Sequence, residues 1–214
     1  MKITKQIAAA LLDTQAVKIA IDPPFTWSSG IKSPIYCDNR TLISFPDARD
    51  LIVDELCRLV RDLSPDVIAG TATAGIAWAA FVALRTGLPM VYVRPEPKDH
   101  GTGKQVEGKL ESGKKVVLIE DLISTGGSSI KSAQALITEG GATVQAVVAI
   151  MSYGLAKAVT AFAEAKIAVS TVITFEDILE QVKEKGYLKE DQIQMVLKFR
   201  EDPENWWGSM SNAQ

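Results

Sequence analysis

Two adjacent carboxylates and, two apolar residues further on, a run of small hydroxyl and glycine residues form the segment of this chain best suited to chemistry: Val116-Val117-Leu118-Ile119-Glu120-Asp121-Leu122-Ile123-Ser124-Thr125-Gly126-Gly127-Ser128. The apolar start, Val116 to Ile119, reads as a strand that delivers Glu120 and Asp121 to its C-terminal end, where open α/β sheets place their ligands. The Ser-Thr-Gly run supplies small side chains and pliable backbone. A helix opening near Ser128 would then turn free N–H groups and a positive dipole end toward whatever the turn encloses. Such a turn suits a phosphate. The carboxylates would repel one at close range, so they should face hydroxyl donors or a centre that develops positive charge. A ribose 5-phosphate meets both demands, with its 5-phosphate in the turn and its 2- and 3-hydroxyls on Glu120 and Asp121. Its C1 then lies beyond the acids, and reaction there makes the sugar oxocarbenium-like, a charge that nearby carboxylates stabilise more than the ground state. A tight turn with solvated acids accounts for a bare strand–turn–helix, but poorly for paired acids beside Ser-Thr-Gly-Gly-Ser. No Gly-x-x-x-x-Gly-Lys-Ser/Thr occurs, and Gly101-Thr102-Gly103 lacks the third glycine of a dinucleotide fingerprint.

A second segment gathers cations. Arg94-Pro95-Glu96-Pro97-Lys98-Asp99-His100-Gly101 continues to Lys104 and holds the only histidine of the chain. Mobile loops with glycine hinges and cations make lids over phosphate-rich substrates. By itself the segment reads equally well as a solvated surface loop; beside a phosphate-binding turn, the lid is the better reading.

These groups need a scaffold, and the apolar pattern supplies one. Thr4 to Val17 predicts a first helix, broken at Asp22-Pro23-Pro24. Phe25 to Thr41 suits a hairpin or loop, since Pro34 cannot donate to a sheet ladder. Ser44 and Pro46 open an amphipathic helix carrying Leu51, Ile52, Leu56, Leu59 and Val60 on one face. Short strands then alternate with helices. Val67 to Ala69 ends at Gly70, a helix runs from about Gly75 to Arg85, and Met90 to Val93 is a strand. A polar loop spans Arg94 to about Gly113, ahead of the Val116–Ile119 strand and a helix from Ser128 to Glu139. Val144 to Ile150, a helix from Leu155 to Lys166, and Ile167 to Ile173 complete the series. Such alternation predicts right-handed βαβ units and a parallel sheet covered on both faces. Thr174 and Asp177 form a capping-box-like helix start, Gly186 breaks that helix, and Lys189 to Arg200 forms another. Trp206 and Trp207 are expected to anchor the tail, Glu204 to Gln214, against the body.

The chain has 214 residues, 47% hydrophobic and 23% charged, which suits one globular domain with a sizeable core. Its net charge of −3 argues against a general nucleic-acid binder, so any phosphate must be met by a local cluster. Cys37 and Cys57 are too few and too distant for a disulfide framework or zinc site. The apolar stretch Ile7 to Leu12 is shorter than the ~7–15 residues of a signal core, and nothing approaches the ~20 apolar residues of a membrane span. A cytoplasmic location is expected.

Val116 to Ser128 resembles the phosphoribosyl-diphosphate signature of the type I phosphoribosyltransferases. The Arg94–Gly101 lid, with Arg, Lys and His-Gly at matching spacing, resembles that of the orotate phosphoribosyltransferases, as does Phe25 to Tyr36 the hood that covers the base in that family. The resemblance covers about Phe25 to Ile150 by motif and the whole chain by element order. It implies an α/β type I phosphoribosyltransferase fold in one domain over 1–214, with a small hood from about 1–42 and the C-terminal tail. It implies transfer of 5-phosphoribosyl from 5-phosphoribosyl 1-diphosphate to orotate in pyrimidine biosynthesis. Magnesium would be held mainly by the substrate, and the chain would work as a homodimer whose lid acts in trans. By the same resemblance Asp121, Glu120, Lys98 and His100 are catalytic. Arg94, Lys98, His100, Glu120, Asp121, Leu122, Ile123, Ser124, Thr125, Gly126, Gly127 and Ser128 bind the phosphoribosyl diphosphate, and Ser124 also touches orotate. Gly70 to Ile76 lies where the family holds diphosphate by backbone amides, though an ordinary strand-to-helix turn fits its residues too. Ser28 stands where some relatives carry lysine, and Thr73-Ala74 where they carry Tyr-Lys. A purine- or uracil-using transferase and a non-catalytic RNA-binding regulator on the same fold are the alternatives.

Overall fold

Apolar β-branched runs and amphipathic helices alternate along most of the chain, and the computed structural model, which describes residues 3–27, 29–97 and 103–211, folds them as a layered α/β structure. The N-terminal part contains α1 (Ile3–Asp13), β1 (Val17–Ile19), β2 (Phe25–Thr26), β3 (Lys32–Ser33), β4 (Ile35–Cys37) and a 3₁₀ helix (Asn39–Ser44). The central part contains α2 (Pro46–Leu63), β5 (Val67–Thr71), α3 (Ala74–Thr86), β6 (Met90–Val93), β7 (Val106–Glu107), β8 (Lys115–Ile123) and α4 (Gly127–Thr138). Then follow β9 (Thr143–Ser152), α5 (Ala156–Ala165), β10 (Val169–Thr174), α6 (Phe175–Glu184), α7 (Glu190–Glu201) and α8 (Trp206–Ser211).

The main sheet has strand order β10-β9-β8-β5-β6-β7 and is parallel except for the β6–β7 pair. Its central strands are buried on both sides, so successive residues feed two cores. Ile68, Val117, Ile119, Val148 and Ile150 join residues of α1, α2, α3 and α6, including Leu11, Leu56, Trp78 and Ile178. Val67, Ala69, Val116, Leu118 and Val147 join Leu136 of α4 and Phe162 of α5. Helices on both faces are what right-handed βαβ crossovers produce.

Several boundaries differ from expectation, each because a tertiary partner wins. The first helix stops at Asp13: Gln15 turns left-handed (φ 57°), and Val17 pairs instead with Cys37 across the β1–β4 ribbon. Pro46 is the first helical residue of α2, but Phe45 is its cap and contributes no side-chain bond. Within the polar loop, Val106 and Glu107 add a short antiparallel strand against Val93 and Tyr92. The strand carrying the acidic pair does not end at Ile119. It runs to Ile123, because β9 continues to pair with it through Ser152. The hairpin of β2 and β3, the Thr174–Asp177 capping box and the buried anchor at Trp206 all form as expected. The Trp206 indole donates to the Met195 carbonyl at 2.8 Å. Among the described residues no helix is long and apolar enough to cross a membrane.

Candidate active site

The acidic pair sits where the sheet changes direction. β5 passes through α3 to β6 on one side, while β8 passes through α4 to β9 on the other, so the ends of β5 and β8 bound a topological switch point. Neighbouring residues of a strand face opposite ways, and the two acids divide accordingly. Glu120 is only 4% exposed and accepts the Ser129 hydroxyl at 2.9 Å and the Asp121 N–H at 3.1 Å. Burial, and then the Asp121 charge, push its carboxyl up to about 8, with the Ser129 hydrogen bond opposing them. Asp121 is half-buried. Burial raises it as well, but its hydrogen bond with Glu120, the Leu122 N–H and the field of Arg40 all favour its charged form. Both carboxyls are raised, Glu120 the more strongly, so a proton on the pair favours Glu120 and a negative charge favours Asp121.

The turn after β8 has the shape the sequence suggested. Gly126 has φ 81°, and a Cβ there would stand 2.6 Å from the Phe162 ring, so both conformation and space demand glycine. Gly126 is also the cap of α4 and offers its first turn no side-chain acceptor, which leaves those N–H groups for a ligand. Leu122, Ser124 and Thr125 line a cleft of about 1370 Å³, whereas Ile123 faces the core.

The other walls come from distant parts of the chain. Trp27, Ile31, Lys32, Tyr36, Cys37 and Arg40 form the hood side, and Tyr153, Leu155 and Lys157 follow β9. Residues 200–204, with Trp207 and Gly208, close the far side. An aromatic chain joins them. Trp27 stacks on Tyr153 at 4.9 Å and meets Phe199 edge-on at 5.5 Å; Phe199 meets Trp206 at 5.7 Å, and Trp206 lies 5.9 Å from Trp207. Four cations reach the cleft. Arg40 is forked onto Asp38, Arg200 pairs with Glu176, Lys32 donates to Thr26 at 2.7 Å, and Lys157 opens α5. The sequence pointed to the hood segment and to a contribution from the C-terminal tail, but not to Arg40, Tyr153 or Lys157 as cleft residues. Tyr153 and Lys157 follow a strand end, a position that flags ligand contacts in this class of sheet; the Trp206-Trp207 pair in a polar tail was the visible sign of the wall.

Among the described residues, neither the turn after β5 nor Arg94 to Pro97 lines this cleft. In the turn after β5, a Cβ at Gly75 would meet the Ile119 carbonyl oxygen at 2.5 Å, so helix α3 begins flush against β8 just below the acids. The Thr71 hydroxyl at that strand end is buried with no hydrogen-bond partner. Arg94 pairs with Glu107 at 3.6 Å at the foot of the cationic loop, and the Gln105 side chain ties both ends by donating to the Arg94 and Pro95 carbonyls. Lys98 and His100 lie outside the described residues.

The chain matches the model of the phosphoribosyl transferase domain family over residues 48–184. It is similar to the orotate phosphoribosyltransferase of Streptococcus agalactiae serotype Ia, at 47% identity over 96% of this chain and 99% of that protein. Among solved structures it is similar to orotate phosphoribosyltransferase from Aeropyrum pernix (TM-score 0.73, 32% identity, 86% of this chain and 99% of that one). It is also similar to UMP synthase from Leishmania donovani (TM-score 0.78, 25% identity), covering 92% of this chain but 42% of that longer one. With the acid pair, the glycine turn and the covered cleft in place, these likenesses settle the lineage: the chain belongs to the phosphoribosyl transferase domain family, and within it to the orotate phosphoribosyltransferases.

Proposed function

We propose that the chain transfers the 5-phosphoribosyl group from 5-phosphoribosyl 1-diphosphate to orotate, giving orotidine 5-phosphate and diphosphate, a step of pyrimidine biosynthesis. The observation that carries this reading is a half-buried carboxylate, Asp121, on the strand whose end leads through Ser124 and Thr125, which line the cleft under the hood, into the glycine start of α4, which no side chain caps. Residues Ser124 to Ser128 hold the 5-phosphate. Asp121 accepts from the ribose hydroxyls and stabilises positive charge as the C1–diphosphate bond loosens. Glu120, neutral and bonded to Ser129, fixes the Asp121 main chain from below. Ser124 meets the base beneath the Trp27–Tyr153 stack. Arg94, Lys98 and His100 neutralise the departing diphosphate.

A magnesium ion fits this donor set only in one way. No three His, Cys, Asp or Glu side chains among the described residues form a cluster able to hold a metal, and both Glu120 oxygens already accept, from the Ser129 hydroxyl and the Asp121 N–H. Asp121 would approach it through the ribose hydroxyls, with most ligand oxygens coming from the substrate. Bound there, the ion would neutralise the leaving group.

The same reading makes the chain one phosphoribosyltransferase domain with a hood from its two ends, working as a homodimer in the cytoplasm with each lid over the partner's site. One surface supports a partner. Helix α3 is apolar nearly all round, yet Leu84 is 82% exposed on it. The test of the reaction is a panel of orotate, uracil, adenine, hypoxanthine and xanthine with magnesium and phosphoribosyl diphosphate. Orotate should be consumed far faster than the others, and faster turnover of any other base would overturn the assignment of orotate.

A further inference from the structure

The 3₁₀ helix opens with a buried amide that the chemistry above does not use. Asn39 is 0% exposed and lies directly behind the cleft wall formed by Tyr36 and Cys37. Its Nδ2 donates to the Asp121 carbonyl at 2.6 Å, across 82 positions of sequence, and its Oδ1 accepts the Cys37 thiol at 3.3 Å. These partners fix which way the amide points, because a carbonyl can only accept and the buried thiol, kept protonated, donates. Pairing of β8 with β5 ends at Ile119, so beyond that residue β9 is the only strand among the described residues that pairs with β8. Asn39 bonds the Asp121 main chain where β5 no longer does. A buried amide is costly unless bonded, and packing alone would be served by an apolar residue.

We propose that Asn39 is a positioning residue that locks the Asp121 backbone, and so its carboxylate, to the hood wall, making closure over the base and alignment against the sugar a single event. The proposal rests on the transferase reading above. A shift of about 1 Å in an aligned group is enough to cost ~10²-fold in rate.

The test uses full-length Asn39→Ala and Asn39→Asp, assayed from pH 5.5 to 8.5 with folding checked by circular dichroism. Asn39→Ala should lose about 10- to 100-fold in kcat with KM for phosphoribosyl diphosphate within about three-fold of wild type. At pH 8, Asn39→Asp has no donor for the Asp121 carbonyl and should be at least as impaired. As pH falls the new acid gains a proton and an O–H donor, so its activity relative to wild type should climb by about 10-fold or more. Its buried setting, facing Cys37, Asp38 and Arg40 from its own segment, Glu120 and Asp121 from β8, and Tyr153 after β9, brings that recovery toward neutral pH. The Asn39→Ala ratio to wild type should stay flat across the same range. A flat Asn39→Asp ratio, or Asn39→Ala with normal kcat and only a raised KM, would overturn the proposal, and the Asn39→Asp ratio decides alone if Asn39→Ala does not fold. Wild-type transfer to another base with the same variant pattern would sink the orotate reading and leave the role of Asn39 supported.

Discussion

Glu120 contributes by staying uncharged. Two ionised carboxylates on adjacent positions would repel each other, and a phosphate in the next turn would add to the repulsion. Burial under Ser129 moves the cost to one residue and leaves Asp121 to carry the charge. This has a consequence for stability in the ligand-free protein. The folded-state carboxyl of Glu120, at about 8, lies above its ordinary value of 4.5, so the native state holds the proton more tightly than the unfolded chain. The stabilisation is fully present below 4.5 and is lost as pH rises through about 8. Glu120→Gln, neutral at every pH, should therefore show a flatter melting-temperature profile between these limits, with its advantage over wild type growing toward pH 8. Parallel profiles for the two proteins would show that Glu120 is ionised in the folded state.

At the level of elements, the site depends on two helices that start where nothing but glycine fits. Gly126 admits the left-handed turn ahead of α4, and Gly75 lets α3 begin against the β8 backbone. Gly75→Ala places a methyl 2.5 Å from a main-chain oxygen that cannot rotate away. We expect a loss of about 1–3 kcal/mol, read as a lower denaturant midpoint, together with reduced turnover because Ile119 leads directly into the acidic pair. An unchanged midpoint would mean that α3 can shift without moving β8. The sheet, most of its helices and the acid–glycine turn were legible in the sequence because each depends on local pattern: β-branched runs, capping residues and glycine. The extension of β8 through Glu120 and Asp121 was not, since two acids read as the end of a strand and only pairing with β9 keeps them in it. Strand β7 was hidden for the same reason, its two residues being too few for any period. The hood was visible as a segment, but its link to the acids through Asn39 spans elements far apart in sequence and left no local trace.

For the whole molecule, the decisive question is whether a site is completed by one chain or two. Asp121→Asn keeps shape and removes charge, so it should lower turnover on the order of 10²-fold or more. Lys98→Ala should be comparably inactive if the lid neutralises diphosphate. In a mixed dimer with lids in trans, one site carries both lesions and the other neither. Equal amounts, dissociated and reassembled at random, give about half mixed dimers and hence about a quarter of wild-type activity. With lids in cis every site keeps one lesion, and no recovery despite exchange confirmed by mass tagging would exclude the trans arrangement.

The aromatic chain around the cleft gives the protein an optical property. Of its four tryptophans, Trp27, Trp206 and Trp207 belong to that chain, while Trp78 is buried in α3. Trp27 and Trp207 line the cleft, so their emission should follow what lies against them. Adding orotate together with phosphoribosyl diphosphate should change the intrinsic fluorescence in a saturable way. Trp78→Phe should dim the total and leave the absolute change intact, so the fractional change grows, whereas Trp27→Phe should reduce the change itself. An unaltered response in Trp27→Phe would mean that the base binds away from the hood, and in either case the protein carries its own dye for following the cleft without a label.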